Sequence, residues 1–173
     1  MPVFTVIDHT ELGSATSSWS ETSISSSYDH LLLKLSVRSS QSNVIDGMSM
    51  KFNSATTNYS ETRITADTAS PGSSRKHGES VLRAWGNAAG ANTASDVFSV
   101  VTVWIPHYCT SNYKQFVSES SLPNTSTSDS EWHQMLGAGQ WAASAAINRI
   151  DIGLVNGGNF VQYSTFTLYG VTN

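Results

Sequence analysis

Apolar residues recur at every second position in several short segments of this chain of 173 residues. Successive side chains of an extended strand point to opposite faces, so this period is typical of strands with one buried face. The clearest examples are HLLLKLSVR at 30–38 and DGMSMKFN at 46–53. Their apolar faces consist of Leu31, Leu33, Leu35 and Val37 in the first and Met48, Met50 and Phe52 in the second. We predict two strands here and expect them to be neighbours in one sheet.

Two further regions have strong strand patterns. DVFSVVTVWIPH at 96–107 is apolar on both faces, which is typical of a strand covered on both sides. Near the C-terminus, alternation through Ile150, Ile152 and Leu154 stops at the pair Asn156-Gly157 and resumes through Phe166 and Leu168. An Asn-Gly pair between two alternating segments predicts a hairpin, because both residues tolerate positive φ.

Weaker alternation predicts additional strands at 4–7, 22–25, 60–66, 80–85, 113–120 and 131–137. Turn-forming residues are concentrated at 14–18, 39–43, 69–78, 86–95 and 123–130. The segment GQWAASAAINR is too short to be a helix that stands alone, so we interpret it as a loop or short helix. Roughly nine to eleven short strands with little or no helix predict an all-β fold, an antiparallel two-sheet sandwich that is jelly-roll-like.

The length fits one sandwich domain, which we assign to residues 28–173. Residues 1–27 are rich in Ser and Thr, and they form either an N-terminal strand or an arm that orders on a partner. The net charge is −4 and the Lys and Arg residues are scattered singly, which disfavours nucleic acid as a partner. The chain contains no run of about 18 apolar residues, so we predict no membrane span. The N-terminus also lacks the layout of a signal peptide, so we expect synthesis and retention in a cytosol.

Few residues are candidates for catalysis or metal binding. Asp8-His9 and Asp29-His30 are adjacent pairs, but neighbours along a strand point to opposite faces and do not form an Asp-His dyad. His107 and Cys109 have a spacing that suits two metal ligands, yet zinc requires three or four. Cys109 is the single cysteine, so an internal disulfide is excluded.

Other catalytic motifs are absent. There is no Gly-x-Ser-x-Gly elbow, and the glycines at 137–139 and 153–158 lack the features of a phosphate loop and are interpreted as turns. A glycosidase needs two carboxylates facing one sugar. Most carboxylates fall in predicted loops, where we expect them to be solvated; examples are Glu11, Glu21, Asp67, Asp96, Asp129 and Glu131. The sequence therefore predicts no enzyme activity, no catalytic residue, no cofactor and no metal.

Five tryptophans are candidates for the core, for an interface or for stacking on sugar rings. Trp104 lies in the most apolar strand and is assigned to the core, as Trp85 is. Trp19, Trp132 and Trp141 lie near predicted loops, where exposure is possible. Asn58-Tyr59-Ser60 and Asn124-Thr125-Ser126 match the N-glycosylation acceptor, but we interpret them as chance matches in a Ser- and Thr-rich chain.

The order of three motifs resembles that of small virion proteins of tailed bacteriophages. The motifs are SSYDHLLLKLSVRSS, DGMSMKFN followed by Asn58-Tyr59, and the closing segment GGNFVQYSTFTLYGV. The C-terminal part, which is this closing segment together with the alternating strand before it, is the most specific, and its matching positions are Ile150, Ile152, Leu154, Gly157, Gly158, Phe160, Ser164, Thr165, Leu168, Tyr169 and Gly170. The resemblance covers approximately residues 24–66 and 147–171 and carries no catalytic residue with it.

The resemblance implies a β-sandwich that serves as a building block of the virion, made in the host bacterial cytoplasm. We expect a capsid decoration (cement) protein, a homotrimer that binds the phage major capsid protein or other virion subunits and stabilises the particle. The alternative is the head domain of a tail fibre or spike that binds a host surface glycan through exposed aromatic and hydroxyl side chains, with Trp132 and Trp141 as the residues to test. A polysaccharide-cleaving enzyme is a third hypothesis, and it requires two carboxylates in one cleft.

Overall fold

The computed structural model describes residues 1–66, 71–122 and 133–173, and the prediction of an all-β fold is confirmed there, because these ranges contain twelve strands and no helix. The strands in chain order are β1 (Val3–Glu11), β2 (Ser18–Thr22), β3 (His30–Val37), β4 (Ile45–Phe52), β5 (Tyr59–Ala66), β6 (Pro71–Glu79), β7 (Asn87–Ala89), β8 (Ser99–Pro106), β9 (Lys114–Leu122), β10 (His133–Trp141), β11 (Arg149–Leu154) and β12 (Thr165–Thr172). The segment between β10 and β11 is a loop.

The strands form two antiparallel sheets that pack as a sandwich. The larger sheet has the order β1-β12-β3-β8-β9-β10-β5-β6, and the smaller has the order β2-β11-β4-β7. Strands β1, β12, β3 and β8 of the larger sheet, together with the whole smaller sheet, form the two interlocked Greek keys of a jelly roll. The jelly-roll prediction is therefore confirmed by the strand order.

The remaining four strands, β9, β10, β5 and β6, continue the larger sheet beyond the jelly roll. They belong to two hairpins inserted into the chain, β5–β6 between β4 and β7, and β9–β10 between β8 and β11. We call these four strands the extension. They have no counterpart in the smaller sheet, so loop residues complete the packing on their inner face, with Leu82 and Trp85 of segment 80–86 fully buried.

The hydrophobic core lies between the two sheets. The alternating residues of β3, β4 and β8 supply ten of its 25 described buried residues, because each strand turns one face inward, as the sequence predicts for β3 and β4. Aromatic side chains fill the ends, where Trp19 stacks on Phe166 with ring centroids 5.3 Å apart and Tyr59 stacks on Trp141 at 6.3 Å. Burial of these faces holds the sheets together.

Two predicted pairings are wrong. β3 lies in the larger sheet and β4 in the smaller one, so their apolar faces meet across the core instead of side by side. The segments around Asn156-Gly157 do not form a hairpin either, since β11 pairs with β2 and β4 while β12 pairs with β1 and β3. The turn crosses between the sheets, with Gly157 at φ +82.

A buried carboxylate explains why this turn crosses. Asp46 is fully buried, and its Oδ2 accepts a hydrogen bond of 2.7 Å from Ser39 Oγ. Its Oδ1 accepts hydrogen bonds from the side-chain amide of Asn156, at 3.0 Å, and from the Asn156 backbone N–H, at 3.3 Å. Asn156 therefore attaches the turn to β4 through Asp46 and does not close a two-residue hairpin.

Several local predictions also need correction. Residues 71–78, expected as a turn, lie in β6, while 67–70 fall outside the described residues. Segment 80–85 is not a strand, and the strand expected at 22–25 is β2 at Ser18–Thr22. β8 is buried on one face only, because Val100 on the other face is more than half exposed. The strand expected at 131–137 is β10, of which 131 and 132 are outside the described residues.

The glycines at 137–139 form part of β10 and not a turn. A Cβ on Gly137 would clash with the backbone carbonyl of Ala84, which lies directly against the strand. Glycine at this position therefore lets segment 80–86 pack onto the inner face of the extension.

Candidate functional site: the outer face of the extension

The outer face of the larger sheet carries rows of side chains that follow the strand pairing across the sheet. One row runs Tyr169, Leu32, Trp104, Val117, Ala138, Thr62 and Arg75, from β12 to β6. The next row runs Thr167, Lys34, Thr102, Glu119, Leu136, Ile64 and Ser73. Directly paired residues lie about 5 Å apart across neighbouring strands, so each row is a continuous strip of surface.

The middle of this face is apolar and exposed. Four aliphatic side chains on four adjacent strands are each more than half exposed: Val100 at 54%, Val117 at 56%, Leu136 at 62% and Ile64 at 59%. We call these four residues the apolar patch. A groove of about 350 Å³ runs beside three of them, towards Ala66 and Pro71. Glu119 lies among them, directly paired with Leu136 and two residues along β9 from Val117. A cluster of exposed apolar side chains on a folded domain is typical of an interaction site.

Two charges of opposite sign lie at the apolar patch, Glu119 within it and Lys34 at its side. Lys34 on β3 and Glu119 on β9 are both exposed, and Thr102 lies between them in the row. Their backbones are two strand spacings apart, about 10 Å, and the two side chains form no ion pair with each other. No side-chain hydrogen bond or ion pair of either residue occurs in the part of the chain that the structure describes. Both charges are therefore free to meet a partner.

A second groove, of about 510 Å³, lies on the same face nearer the start of β9 and is lined mostly by residues that carry polar or charged side chains. Gln115, Gln140, Ser60 and His77 are directly paired across β9, β10, β5 and β6. Thr62 and Arg75 stand beside them in the adjacent row, and Ala138 forms part of the floor. We call this groove, with Ser60, Thr62, Arg75, His77, Gln115 and Gln140, the polar groove.

Buried charged groups fix the loops around the extension. Glu61 on the inner face accepts hydrogen bonds from the backbone N–H groups of Arg83, at 2.6 Å, and Ala84, at 2.9 Å. Lys114 at the start of β9 is fully buried and donates to the carbonyl oxygens of Thr110, at 2.6 Å, and Ser144, at 3.4 Å. Desolvation lowers the pKa of this ammonium group. These contacts make the scaffold under the outer face rigid.

The two Asp-His pairs have separate partners. Asp8 accepts a hydrogen bond of 2.8 Å from Thr10 Oγ1, while His9 Nδ1 lies 2.8 Å from Thr167 Oγ1. Asp29 accepts a hydrogen bond from the backbone N–H of Asn173, and His30 Nδ1 accepts one of 3.1 Å from the backbone N–H of His107. Neither pair forms a dyad.

His107 and Cys109 do not form a ligand pair. Cys109 is half-buried and its Sγ donates to the Tyr28 carbonyl, whereas the ring of His107 is exposed and lies 4.7 Å from the ring of His30. Among the described residues no group of three or more His, Cys, Asp or Glu side chains is placed to hold a metal ion. The same residues contain no helix that is long and apolar enough to span a bilayer.

The tryptophans are distributed differently from the prediction. Trp19 and Trp141, which were expected near the surface, are buried, as Trp85 is. Trp104, assigned to the core, is half-buried on the outer face, where its ring lies 4.9 Å from that of His30. Trp132 lies outside the described residues, as the Asn124 glycosylation motif does. In the other glycosylation motif, Asn58-Tyr59-Ser60, the side chain of Tyr59 is buried.

The polar groove and the apolar patch were not predicted from the sequence. Val117, Leu136 and Ile64 occupy the less apolar face of their strands, and the alternation alone marks such positions as solvent-facing. The signal in the sequence that could have revealed the apolar patch is the presence of aliphatic residues on the outer face of several strands. The pairing register is what brings them together.

Comparison of the chain with known protein families, with curated proteins and with solved structures finds no match. The resemblance to phage virion proteins therefore stays a prediction drawn from three sequence motifs.

Proposed function

We propose that this chain is a non-enzymatic structural protein of a phage particle, a capsid decoration protein that attaches to neighbouring virion subunits. Attachment is through the apolar patch on the outer face of the extension. The observation that carries the proposal is that Val100, Val117, Leu136 and Ile64 are all more than half exposed on four adjacent strands. The partner expected is a capsid subunit with an apolar surface bearing charges complementary to Lys34 and Glu119.

The size of the patch favours attachment by several copies together. Four strands at about 4.8 Å spacing and five residues at about 3.4 Å rise cover roughly 330 Å². A stable interface buries about 800 Å² on each partner, so one patch is too small on its own. Three copies joined as a trimer present about three times that area to a capsid lattice and reach the required size.

We place the trimer contact on β1. This strand is one edge of the larger sheet, and its residues Val3, Phe4 and Val6 are exposed. The opposite edge, β6, carries Arg75, Lys76 and His77, and charged residues on an edge oppose association with another strand. The apolar edge is therefore the one suited to a second copy of the chain.

The proposed role follows from mass action. A protein that binds only the assembled lattice stabilises that lattice by its free energy of binding. Linking three weak patches in one trimer converts the second and third contacts into intramolecular events, so the overall affinity greatly exceeds that of one patch.

The test is attachment of the purified protein to capsids prepared without it, measured by co-sedimentation. Leu136→Asp places a charge in the centre of the patch, and we expect it to weaken attachment at least tenfold, equivalent to about 1.4 kcal/mol. Tyr163→Asp is the matched control, because Tyr163 is also 62% exposed and lies away from the patch. Attachment should be unchanged in this control.

Oligomeric state is tested separately by light scattering. The intact protein should have three times the chain mass of 18.6 kDa, and Phe4→Asp should yield a monomer with unchanged circular dichroism. A wild-type monomer without affinity for capsids, or equal loss of attachment in Leu136→Asp and Tyr163→Asp, would contradict the proposal.

A further inference from the structure

We infer that the polar groove is a binding site for a carboxylated saccharide. This site is distinct from the apolar patch and does not depend on the role in the capsid. It is also compatible with the alternative function as a host-binding head, although Trp141, one of the tryptophans first considered for that function, is buried and does not line the groove.

The arrangement of the side chains fits an extended ligand. Gln115, Gln140, Ser60 and His77 are contributed by four successive strands in direct register. At about 4.8 Å for each strand spacing, the row spans about 15 Å, which suits an oligosaccharide of a few units better than one monosaccharide. The volume of about 510 Å³ lies within the range of ligand sites, about 300–1,000 Å³.

The polar groups of the groove are available to a ligand. Gln115, Gln140, Ser60 and Arg75 have no side-chain hydrogen bond or ion pair with any residue that the structure describes. Their strands are held rigidly by the sheet, so a ligand does not have to order the backbone on binding. Binding therefore replaces contacts with water and disrupts no contact within the protein.

The charge of the groove favours an anionic ligand. Arg75 on the outer face of β6 supplies a positive charge to the groove, on a chain with a net charge of −4. The Glu61 carboxylate in the neighbouring row is turned inward to the Arg83 and Ala84 backbone. A guanidinium binds a carboxylate with two parallel hydrogen bonds, and Arg75 is placed to do so at the rim of the groove.

The remaining surface suits the less polar face of a sugar ring. Ala138 forms a shallow apolar floor within the groove. Apolar surface of this kind packs against the C–H groups of a pyranose. The groove thus combines a flat apolar surface with hydrogen-bonding groups on one side.

The donor and acceptor chemistry separates a saccharide from a nucleic-acid backbone. A glutamine side chain both donates and accepts hydrogen bonds, and so does a hydroxyl group. Sugar hydroxyls match both functions of Gln115 and Gln140, whereas phosphodiester oxygens only accept. Two glutamines and a serine beside a single arginine therefore fit a carboxylated saccharide better than a phosphate chain.

The test is isothermal titration of the full-length protein with hexagalacturonate at about 0.15 M salt, where exposed charges are screened beyond about 8 Å. The same hexasaccharide fully methyl-esterified is the matched ligand control. We expect hexagalacturonate to bind and the ester to bind about tenfold more weakly, because the charge-assisted bond to Arg75 is lost. Arg75→Ala should reduce the affinity for the acid to that for the ester.

The protein control lies on the same strand as one of the glutamines. Gln140→Ala should weaken binding severalfold, while Gln134→Ala, on the same face of β10 but outside the groove, should leave it unchanged. Absence of heat up to 10 mM saccharide, equal effects of Gln140→Ala and Gln134→Ala, or tighter binding of a dT20 oligonucleotide would overturn the inference. These measurements use no capsids, so their failure is distinct from failure of the proposed structural role.

Discussion

The buried carboxylate of Glu61 is expected to be one of the main contributors to the stability of the extension. Glu61 is 5% exposed, and its Oε2 accepts the backbone N–H groups of Arg83 and Ala84. These amides belong to segment 80–86, which places the fully buried side chains of Leu82 and Trp85 on the sheet. One carboxylate oxygen therefore fixes the segment that covers the inner face of the extension.

Glu61→Ala removes this acceptor and leaves two amides without a partner. A buried donor without a hydrogen bond costs about 1–3 kcal/mol. The Ala84 contact is buried, while the Arg83 amide is partly accessible to water, so we expect a total loss of about 2–4 kcal/mol in the free energy of unfolding. For a domain of this size each kcal/mol corresponds to about 2–4 °C in Tm, so a loss of 3 kcal/mol lowers Tm by about 6–12 °C.

The assay is calorimetric or denaturant unfolding of Glu61→Ala beside two comparison variants. Glu119→Ala, on the outer face of β9, should change stability by less than about 0.5 kcal/mol. Glu61→Gln keeps an acceptor oxygen and should lose less than Glu61→Ala. Hydrogen exchange should show that the Arg83 and Ala84 amides lose protection first. If Glu61→Ala is as stable as Glu119→Ala, or both amides stay protected, the reasoning is refuted.

Two further predictions concern pH. Burial raises the pKa of Tyr59 to about 12 from its ordinary 10.0, so the folded protein keeps this proton when the unfolded chain has lost it, and this group should lower stability by up to about 2.7 kcal/mol between pH 10 and 12. In alkaline urea titrations Tyr59→Phe should show a smaller fall, the remainder coming from Tyr108, whose pKa burial also raises. Tyr59→Phe should also be less stable at pH 7, because the buried Phe52 N–H loses its acceptor. At Asp151, burial alone raises the pKa, but hydrogen bonds from Arg149, Ser20 and Ser54 outweigh it and hold the pKa below its ordinary 3.8. This contribution is present above pH 3.8 and is lost as pH falls through the lowered pKa, so Asp151→Asn should be less stable at pH 7 and less sensitive to acid in thermal unfolding; an unchanged acid profile would contradict this assignment.

The candidate site could be predicted only in part. The sequence indicates correctly that strands carry this surface. It does not indicate that Gln115, Gln140 and Ser60 stand side by side, because Ser60 belongs to a different hairpin, which is far from β9 and β10 in the chain. It also misses β6, since this edge strand has no regular apolar face and its glycine and serine residues are typical of a turn.

The sequence by itself determined that the chain is all-β, where most strands lie and, for clearly alternating strands such as β3 and β4, which side is buried, because an alternating pattern records the two faces of an extended backbone. Only the tertiary structure decided which strands are neighbours. β3 and β4 face each other across the core, and Asn156 binds the buried Asp46 instead of closing a hairpin. The physical reason is that the alternation of apolar and polar residues is contained within each strand's own sequence. Strand pairing depends instead on contacts between distant segments, and these exist only in the closed sandwich.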